Sequence, residues 1–352
     1  MESKFLALPE QTRINAFNQI AEKKGITPFA VEKDWWITQT LSAIFGMEMA
    51  SYIVFKGGTS LSKSWGLIER FSEDIDLAID REFLGFTDIP KRKTNLRKKS
   101  GKFITDEFFP ELQKRFSENG ISEGVRFELS PTNSSDQDPK IINIYYPNII
   151  KTLGYLQPKI QIEIGCRSLI EPFENRSIKS FVDEEYAHLD FVQEAFLVPS
   201  VIPERTFLEK IFLLHEEFQK QNIRVDRLSR HLYDLYRLYH SEFKEKAIKN
   251  ENLYKTIVAH RLEFTKISGI DYTLHHPKTI NPIPLDNVIK EWEKDYEKME
   301  SYKEEIINSV FYQNLTDEEK DIINNELDAI YAKIPTSSAT ASSSTSKSIS
   351  RS

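Results

Sequence analysis

The sequence has few of the features that mark exported or membrane proteins. Its 352 residues contain a single cysteine, Cys166, which excludes an intramolecular disulfide framework and a zinc site built from cysteines. No apolar run approaches the length of a transmembrane helix, and the N-terminus lacks the apolar segment of a signal peptide. We therefore expect a cytoplasmic protein without membrane contact.

Positive charge is also in short supply, because 47 lysines and arginines face 54 acidic residues, for a net charge of −7. This balance argues against indiscriminate binding of nucleic acid, although it leaves room for a local basic patch. The length allows a sizeable core and predicts two lobes, residues 1–200 and a helical 201–334. The serine-rich tail, residues 335–352, cannot bury enough apolar surface to become ordered.

The most informative stretch is 52–79, where an apolar run leads to Gly57 and Gly58, then a short helix over 61–67, then alternating acidic and apolar residues. On a strand, Asp74 and Asp76 project to the same face. Paired carboxylates suit Mg²⁺, and glycines let a backbone approach a phosphate closely. Each feature alone is more often a turn or a solvated strand edge. Together, in this order, they indicate phosphoryl or nucleotidyl transfer.

The wording GGTSLSK followed by RFSEDIDL resembles the AbiEii/AbiGii toxin family, a branch of the DNA polymerase beta-like nucleotidyltransferase superfamily. The resemblance implies an α+β fold, with a small mixed β-sheet flanked by helices and a mainly helical C-terminal lobe. It also implies that Asp74 and Asp76 hold Mg²⁺ while a nucleoside triphosphate (NTP) is the substrate. The terminal phosphates would be held by the glycine turn and its neighbours, Gly57, Gly58, Thr59, Ser60 and Ser72.

A third carboxylate is expected from a neighbouring strand. Residues 159–165 alternate cleanly, with Ile160, Ile162 and Ile164 on one face and Glu163 on the other. The resemblance makes Glu163 the candidate third metal ligand, and the alternative is an ordinary strand with a solvated polar face. Arg167, just beyond, is assigned to either substrate binding or structure.

Two later helices carry the remaining candidates. Lys210 borders the buried stripe of a helix over 203–219, where it must snorkel or meet an anion. In the helix over 226–240, Asp234 fits a salt-bridged surface. The resemblance places Lys210 in the nucleotide site and makes Asp234 a catalytic residue, which would orient Lys210, hold a metal-bound water or act as a base. Arg261 is a weaker candidate for the triphosphate.

The family resemblance implies the toxin of a bacterial toxin–antitoxin or abortive-infection (phage defence) system, with a separately encoded antitoxin. Its predicted reaction adds a nucleotide to an acceptor, most readily the tRNA 3′ end, and so blocks translation. The segment 91–102 contains seven basic residues and no acidic one, which fits either RNA backbone binding or a solvated helix face. The alternatives are a nucleotide sensor and a transferase that modifies protein.

Phosphorylation of Ser72 would place negative charge beside Asp74, where it should repel the nucleotide substrate.

The remaining pattern predicts secondary structure only. Helices are expected over 8–46, in which the sequence Glu32–Trp36 (EKDWW) anchors a helix on the sheet through its tryptophans, and over 103–119. Strands are expected over 124–129, 140–146 and 159–165, and a loop over 168–200. Residues 250–334 are expected to be helical, interrupted by a loop over 274–284.

Overall fold

We describe a computed structural model of the chain over residues 3–70, 72, 74–86, 93–132, 137–151 and 158–300. Within these ranges, seven strands form one mixed sheet in the spatial order β3-β4-β5-β2-β1-β7-β6. The strands are β1 Ile53–Lys56, β2 Asp74–Ile79, β3 Arg126–Leu129, β4 Lys140–Tyr145, β5 Lys159–Gly165, β6 Phe173–Ile178 and β7 Phe196–Val201. The pairs β1/β7 and β2/β5 are parallel and the other neighbours are antiparallel.

The helices cover the sheet and form the C-terminal part of the described chain. They are α1 Glu10–Lys24, α2 Pro28–Phe45, α3 Gly57–Lys63, α4 Lys93–Phe103, α5 Phe109–Glu118, α6 Phe181–Glu185, α7 Pro203–Phe218, α8 Ser229–Tyr239, α9 Phe243–Lys249, α10 Glu251–His260 and α11 Ile289–Glu300. Two π-helical turns, Ile104–Phe108 and Arg261–Thr265, follow α4 and α10. The predicted mixed sheet flanked by helices is therefore confirmed.

The expected loop over 168–200 is wrong, since that segment contains β6, α6 and most of β7. Strand β6 lies at the sheet edge and is largely polar, so it shows little apolar alternation. Strand β7 contains Pro199, a residue that normally argues against a strand. Pro199 lies opposite Asn175 of the edge strand. Edge position and proline together hid these two strands from pattern analysis.

Two buried apolar clusters organise the described residues. One lies between the sheet and α1, α2 and α5, and includes Trp35, Trp36 and Phe55. The other joins α7, α8, α10 and α11 through residues such as Phe212 and Leu238. Leu61 of α3 belongs to this second cluster, so the helix after the glycines is held by the C-terminal helices. The predicted division at residue 200 stays a prediction, and the tail 335–352 lies outside the described residues.

Helix α2 is anchored by more than its tryptophans. Thr27 caps it by accepting a hydrogen bond from the Ala30 N–H, as the Thr-Pro start predicted. Trp35 and Trp36 are 1–2% exposed, which confirms their predicted role on the sheet. The carboxylate of Asp34 also lies 2.7 Å from Lys63 Nζ, in an ion pair that is almost completely buried. Helix α2 therefore fixes the far end of α3.

Candidate active site

The glycine pair forms the first turn of α3, one turn earlier than the helix predicted over 61–67. Gly57 has φ +80, and a Cβ at this position would overlap the carboxylate of Asp76. A Cβ on Gly58 would lie 2.7 Å from Ser72 Oγ and 2.8 Å from Arg70 Nη2. Glycine is required here because the backbone passes directly over an acidic side chain.

The hydroxyls after the glycines are buried. Thr59 donates to the main-chain oxygen of Asp74 at 2.5 Å, and its Oγ1 lies 3.0 Å from Ser72 Oγ. Thr59 therefore joins α3 to the start of β2. Ser60 Oγ is buried and has no hydrogen-bond partner among the described groups. The roles of Thr59, Ser60 and Ser72 in phosphate binding stay predictions, and so does the effect of a phosphate on Ser72, which a Ser72→Glu protein of undiminished activity would contradict.

The carboxylates of two parallel strands share one face of the sheet. Asp76 lies opposite Glu163, and Asp74 lies opposite Gln161. Burial raises the pKa of Glu163, and the negative charges of Asp76 and Asp74 raise it further. The structure therefore confirms the predicted alternation of β2 and β5. The carboxylates lie on one face, and Ile75, Leu77 and the β5 isoleucines are buried on the other. Among the described residues, no group of three or more His, Cys, Asp or Glu side chains is already arranged as a metal site.

A lysine that sequence analysis did not single out borders these carboxylates. Lys56 precedes the glycines and lies opposite Asp76 in the antiparallel β1/β2 pair. Its positive charge acts against the raised pKa of Glu163 and also helps lower the pKa of Glu209 in α7. The signal in the sequence was its position, directly between a buried strand and a glycine pair.

Lys210 and Asp234, the two candidates from the later helices, are in contact. Lys210 Nζ lies 2.9 Å from Asp234 Oδ2 and 3.1 Å from His231 Nδ1. Burial would raise the pKa of Asp234, but the charges of Lys210 and Arg70 hold it well below its usual range. Burial and then the charge of Lys210 lower the pKa of His231 well below its usual value. Asp234 is therefore an anion and His231 a neutral acceptor for Lys210.

Two arginines complete the cluster, and neither was assigned to the site from the sequence. Arg70 donates from Nε to Asp234 Oδ1 at 2.7 Å and from Nη2 to Oδ2 at 2.6 Å. Arg230 Nη1 lies 3.8 Å from Asp74 Oδ2. Burial lowers the pKa of Lys210, and the negative charge of Asp234 opposes this change. The positive charges of Arg70 and Arg230 lower the pKa of Lys210 further. A positively charged cluster thus adjoins the acidic face of β2.

Arg261 has a different environment. Its guanidinium forms two hydrogen bonds to the Glu216 carboxylate, at 2.7 and 2.5 Å, and His275 Nε2 lies 2.8 Å from the same carboxylate. Its pKa is raised despite burial, because of the bonds to Glu216. Arg261 is thus strongly engaged within the helices, and its role in triphosphate binding stays a prediction.

Comparison with known proteins identifies the family. A profile described as "Nucleotidyl transferase AbiEii toxin, Type IV TA system" matches residues 41–309. No curated protein sequence matches the chain. Among solved structures, MenT4, a nucleotidyltransferase toxin from Mycobacterium tuberculosis H37Rv, is 16% identical with a TM-score of 0.44, over 93% of this chain and 99% of that one. None of the described helices is long and apolar enough to cross a membrane. The chain belongs to the AbiEii nucleotidyltransferase toxin family of type IV toxin–antitoxin systems.

Proposed function

We propose that the protein transfers a nucleoside monophosphate from an NTP to a hydroxyl group of an RNA acceptor. The acceptor oxygen forms a bond to the α-phosphorus, and the bond from that phosphorus to the oxygen bridging to the β-phosphate breaks. Pyrophosphate leaves with the electron pair, and the hydroxyl proton passes to solvent. The observation that carries this proposal is the contact between the acidic face around Asp74 and the positive cluster around Lys210.

The acidic face fits a divalent cation in its chemistry. Asp74, Asp76 and Glu163 supply oxygen atoms only, the kind of ligand that Mg²⁺ prefers. The negative charges of both aspartates raise the pKa of Glu163, so a cation would relieve an existing repulsion. We propose that Asp74 and Asp76, with Glu163, hold Mg²⁺. When bound, the ion would neutralise charge on the triphosphate and lower the pKa of the attacking hydroxyl.

The positive cluster fits the triphosphate. Lys210, Arg70 and Arg230 bring three positive charges around Asp234, and a further anion would balance them. The guanidinium of Arg70 lies beside Gly58, so phosphates held at the glycine turn would also meet this arginine. Asp234 would orient Lys210 and Arg70, because a carboxylate with such a low pKa is a poor base. Arg261 would contribute more weakly.

We propose tRNA as the acceptor, modified at its 3′ end so that translation stops. Helix α4 supports an RNA acceptor, because Lys98, Lys99 and Lys102 are exposed on it. Lysines of this kind bind the backbone and do not read sequence. A separately encoded antitoxin would restrain the toxin, in a system that acts in abortive infection, as a defence against phage.

The test uses the full chain with Mg²⁺, each of the four α-labelled ribonucleotides and total bacterial RNA. The Asp74→Ala/Asp76→Ala protein is the variant, and Asp106→Ala/Glu107→Ala is the matched control, because it removes two exposed neighbouring carboxylates elsewhere. We expect label in RNA of tRNA size with wild type and control, and none with the variant.

Other outcomes discriminate between functions. Label in protein would retain the chemistry and replace RNA by a protein acceptor. If neither RNA nor protein becomes labelled while calorimetry still shows nucleotide binding, the transfer reaction is contradicted. That result would support a nucleotide sensor that acts with the antitoxin. Transfer unchanged in the Asp74→Ala/Asp76→Ala protein would contradict the proposed metal site.

A further inference from the structure

Two arginines beyond the other end of the active-site strands contact the same residue, since the Arg81 guanidinium lies over the Phe264 ring and Arg167 Nη2 donates to the Phe264 main-chain oxygen. In the parallel pair β2/β5, Ala78 lies opposite Gly165. Arg81 follows the first of these residues by three positions and Arg167 follows the second by two. Strand β2 ends at Ile79, so at about 3.3 Å per residue the chain runs roughly 16 Å from Asp74 before the turn that contains Arg81. This end of the strands is therefore separate from the carboxylates of Asp74 and Asp76.

Arg81 is poorly compensated. Its guanidinium lies 4.1 Å from the centre of the Phe264 ring, and its Nη1 is buried without a hydrogen-bond partner among the described groups. Burial lowers the pKa of Arg81, and Cys166 and Asp80 oppose that shift. Cys166 gives no negative charge near neutral pH, because burial raises the pKa of its thiol to about 12. A buried guanidinium donor without a hydrogen-bond partner is a place where an external anion can bind.

A second unpartnered nitrogen lies against the same aromatic ring. His260 stacks on Phe264 with ring centres 4.8 Å apart, and its Nε2 is buried without a partner among the described groups. Burial, and then the charge of Arg81, lowers the pKa of His260 to about 3. His260 is thus neutral and can donate a hydrogen bond from Nε2 in the matching tautomer.

Arg167 adds a further positive charge. In the described contacts its guanidinium donates to main-chain oxygens and not to a carboxylate. Its Nη1 and Nη2 donate to the main-chain oxygens of Asp138 and Phe264, at 3.4 and 3.2 Å. The Asp138 carboxyl lies nearby, where its Oδ1 accepts from the Cys166 N–H at 3.1 Å. Burial raises the pKa of Asp138, and the hydrogen bond from the Cys166 N–H and the charges of Arg167 and Arg97 oppose that rise.

Helix α4 adds positive charge near these arginines. The charge of Arg97 reaches Asp138, and Ser100 contacts the Cys166 thiol, so α4 packs against the end of β5. Lys99 of this helix is exposed, and its Nζ lies 5.5 Å from the centre of the Phe86 ring. Exposed positive charge on α4 therefore borders the segment that follows Arg81. An extended polyanion fits such a surface better than a small anion does.

We propose that Arg81, Arg167 and His260 form a second phosphate site, which binds the sugar–phosphate backbone of the RNA acceptor several nucleotides from its reacting end. The site rests on the proposed RNA acceptor, and it positions that acceptor without reading its sequence. Arg81 and Arg167 supply paired donors suited to a phosphate, and the α4 lysines attract the neighbouring backbone.

The test measures binding of bacterial tRNA to the full chain by fluorescence anisotropy at several salt concentrations. In Arg81→Gln/Arg167→Gln, we expect Kd to rise about tenfold and the slope of log K against log salt to shrink by about 1 to 2, one for each lost phosphate contact. The Kd for NTP should stay within about twofold. In transfer assays, KM for RNA should rise while kcat is retained. Lys246→Gln/Lys249→Gln, which removes two exposed charges from α9, should behave as wild type.

A second variant guards against misfolding. Arg81→Lys/Arg167→Lys keeps both charges, and we expect the salt slope of wild type with Kd raised about threefold, because lysine lacks the planar fork. The inference is wrong if the glutamine variant matches the Lys246→Gln/Lys249→Gln control in both Kd and salt slope while RNA is still modified. A wild-type chain that binds no RNA would contradict both this site and the RNA acceptor.

Discussion

Arg70 and Asp234 are 164 positions apart in the chain, yet the guanidinium meets both carboxylate oxygens, at 2.7 and 2.6 Å. Arg70 belongs to the connection between α3 and β2, and Asp234 belongs to α8. The pair therefore joins the glycine turn to the helices that follow the sheet. Since Lys210 binds the same carboxylate, one buried acid fixes two cations that would face the triphosphate.

Replacing Asp234 tests this arrangement. In Asp234→Asn, the buried cations lose their anion, so we expect a loss of about 3–5 kcal/mol in the free energy of unfolding and loss of detectable transfer. Urea denaturation measures the first effect. Asp226→Asn, at an exposed position just before α8, is the control and should change stability by less than about 0.5 kcal/mol. An Asp234→Asn protein as stable as this control would contradict the ion-pair account.

Gly57 separates backbone strain from steric overlap. In Gly57→Ala, the added methyl group overlaps the Asp76 carboxylate at a residue with φ +80. We expect nucleotidyl transfer to be lost. We also expect the free energy of unfolding to fall by more than the positive φ alone would cause. Gly66→Ala is the matched control, because Gly66 has φ +63 with no atom within 4 Å of an added Cβ. The control should lose about 1–2 kcal/mol and keep its activity. Equal activity in the two variants would contradict a role for this close approach.

Glu163 is predicted to bind metal at some expense of stability. In Glu163→Gln, the contact from Gln161 Nε2, 3.0 Å in wild type, can be kept on the remaining oxygen, while a buried charge beside two aspartates disappears. We expect the variant to be at least as stable as wild type without metal, and to show a smaller rise in Tm when Mg²⁺ is added. Thermal denaturation with and without Mg²⁺ makes the comparison. The same Mg²⁺-dependent rise in both proteins would remove Glu163 from the metal site.

Glu32 predicts a dependence of stability on pH. Its carboxylate accepts the N–H groups of Ile149 and Ile150 at 2.8 and 3.1 Å. Burial outweighs these bonds and raises its pKa from 4.5 to about 7. Because the folded pKa exceeds the unfolded one, the stabilising contribution is complete below pH 4.5 and is lost as pH rises through 7.

The expected size of this loss is about 3 kcal/mol at most. Urea denaturation at pH 5 and pH 8 should show that the free energy of unfolding of wild type, relative to Glu32→Gln, falls over this interval. Glu10→Gln, at an exposed position in α1, corrects for general pH effects. A constant difference between wild type and Glu32→Gln would show that Glu32 stays ionised throughout.

The acidic face could be predicted because it depends on local alternation. Asp74 and Asp76 share a face by the geometry of a strand, and Glu163 follows the same rule in β5. The pairing of β2 with β5, which brings the three together, is long-range and came from the family resemblance. Arg70 could not be found in this way, because its partner is distant in sequence and its own segment has no regular pattern.

The mixed sheet was predicted in kind but not in extent. Five of its strands carry apolar runs or alternation, whereas β6 is polar and β7 contains Pro199. Lys56 was overlooked for a related reason, since only the pairing of β1 with β2 places it opposite Asp76. In each of these cases the structure depends on which strands pair, and local sequence propensity does not predict strand pairing.

The ion pair between Asp34 and Lys63 sets a lower limit on how far the polypeptide can be trimmed. The segment shared with the family profile begins at residue 41, after Asp34. A fragment cut at that point would leave Lys63 Nζ with only the Lys179 carbonyl from its two hydrogen-bond partners in this structure. Helix α3 would then lose its attachment to α2. The glycine turn, which is the first turn of α3, would lose this support as well. A minimal catalytic fragment of this toxin must therefore begin upstream of α2.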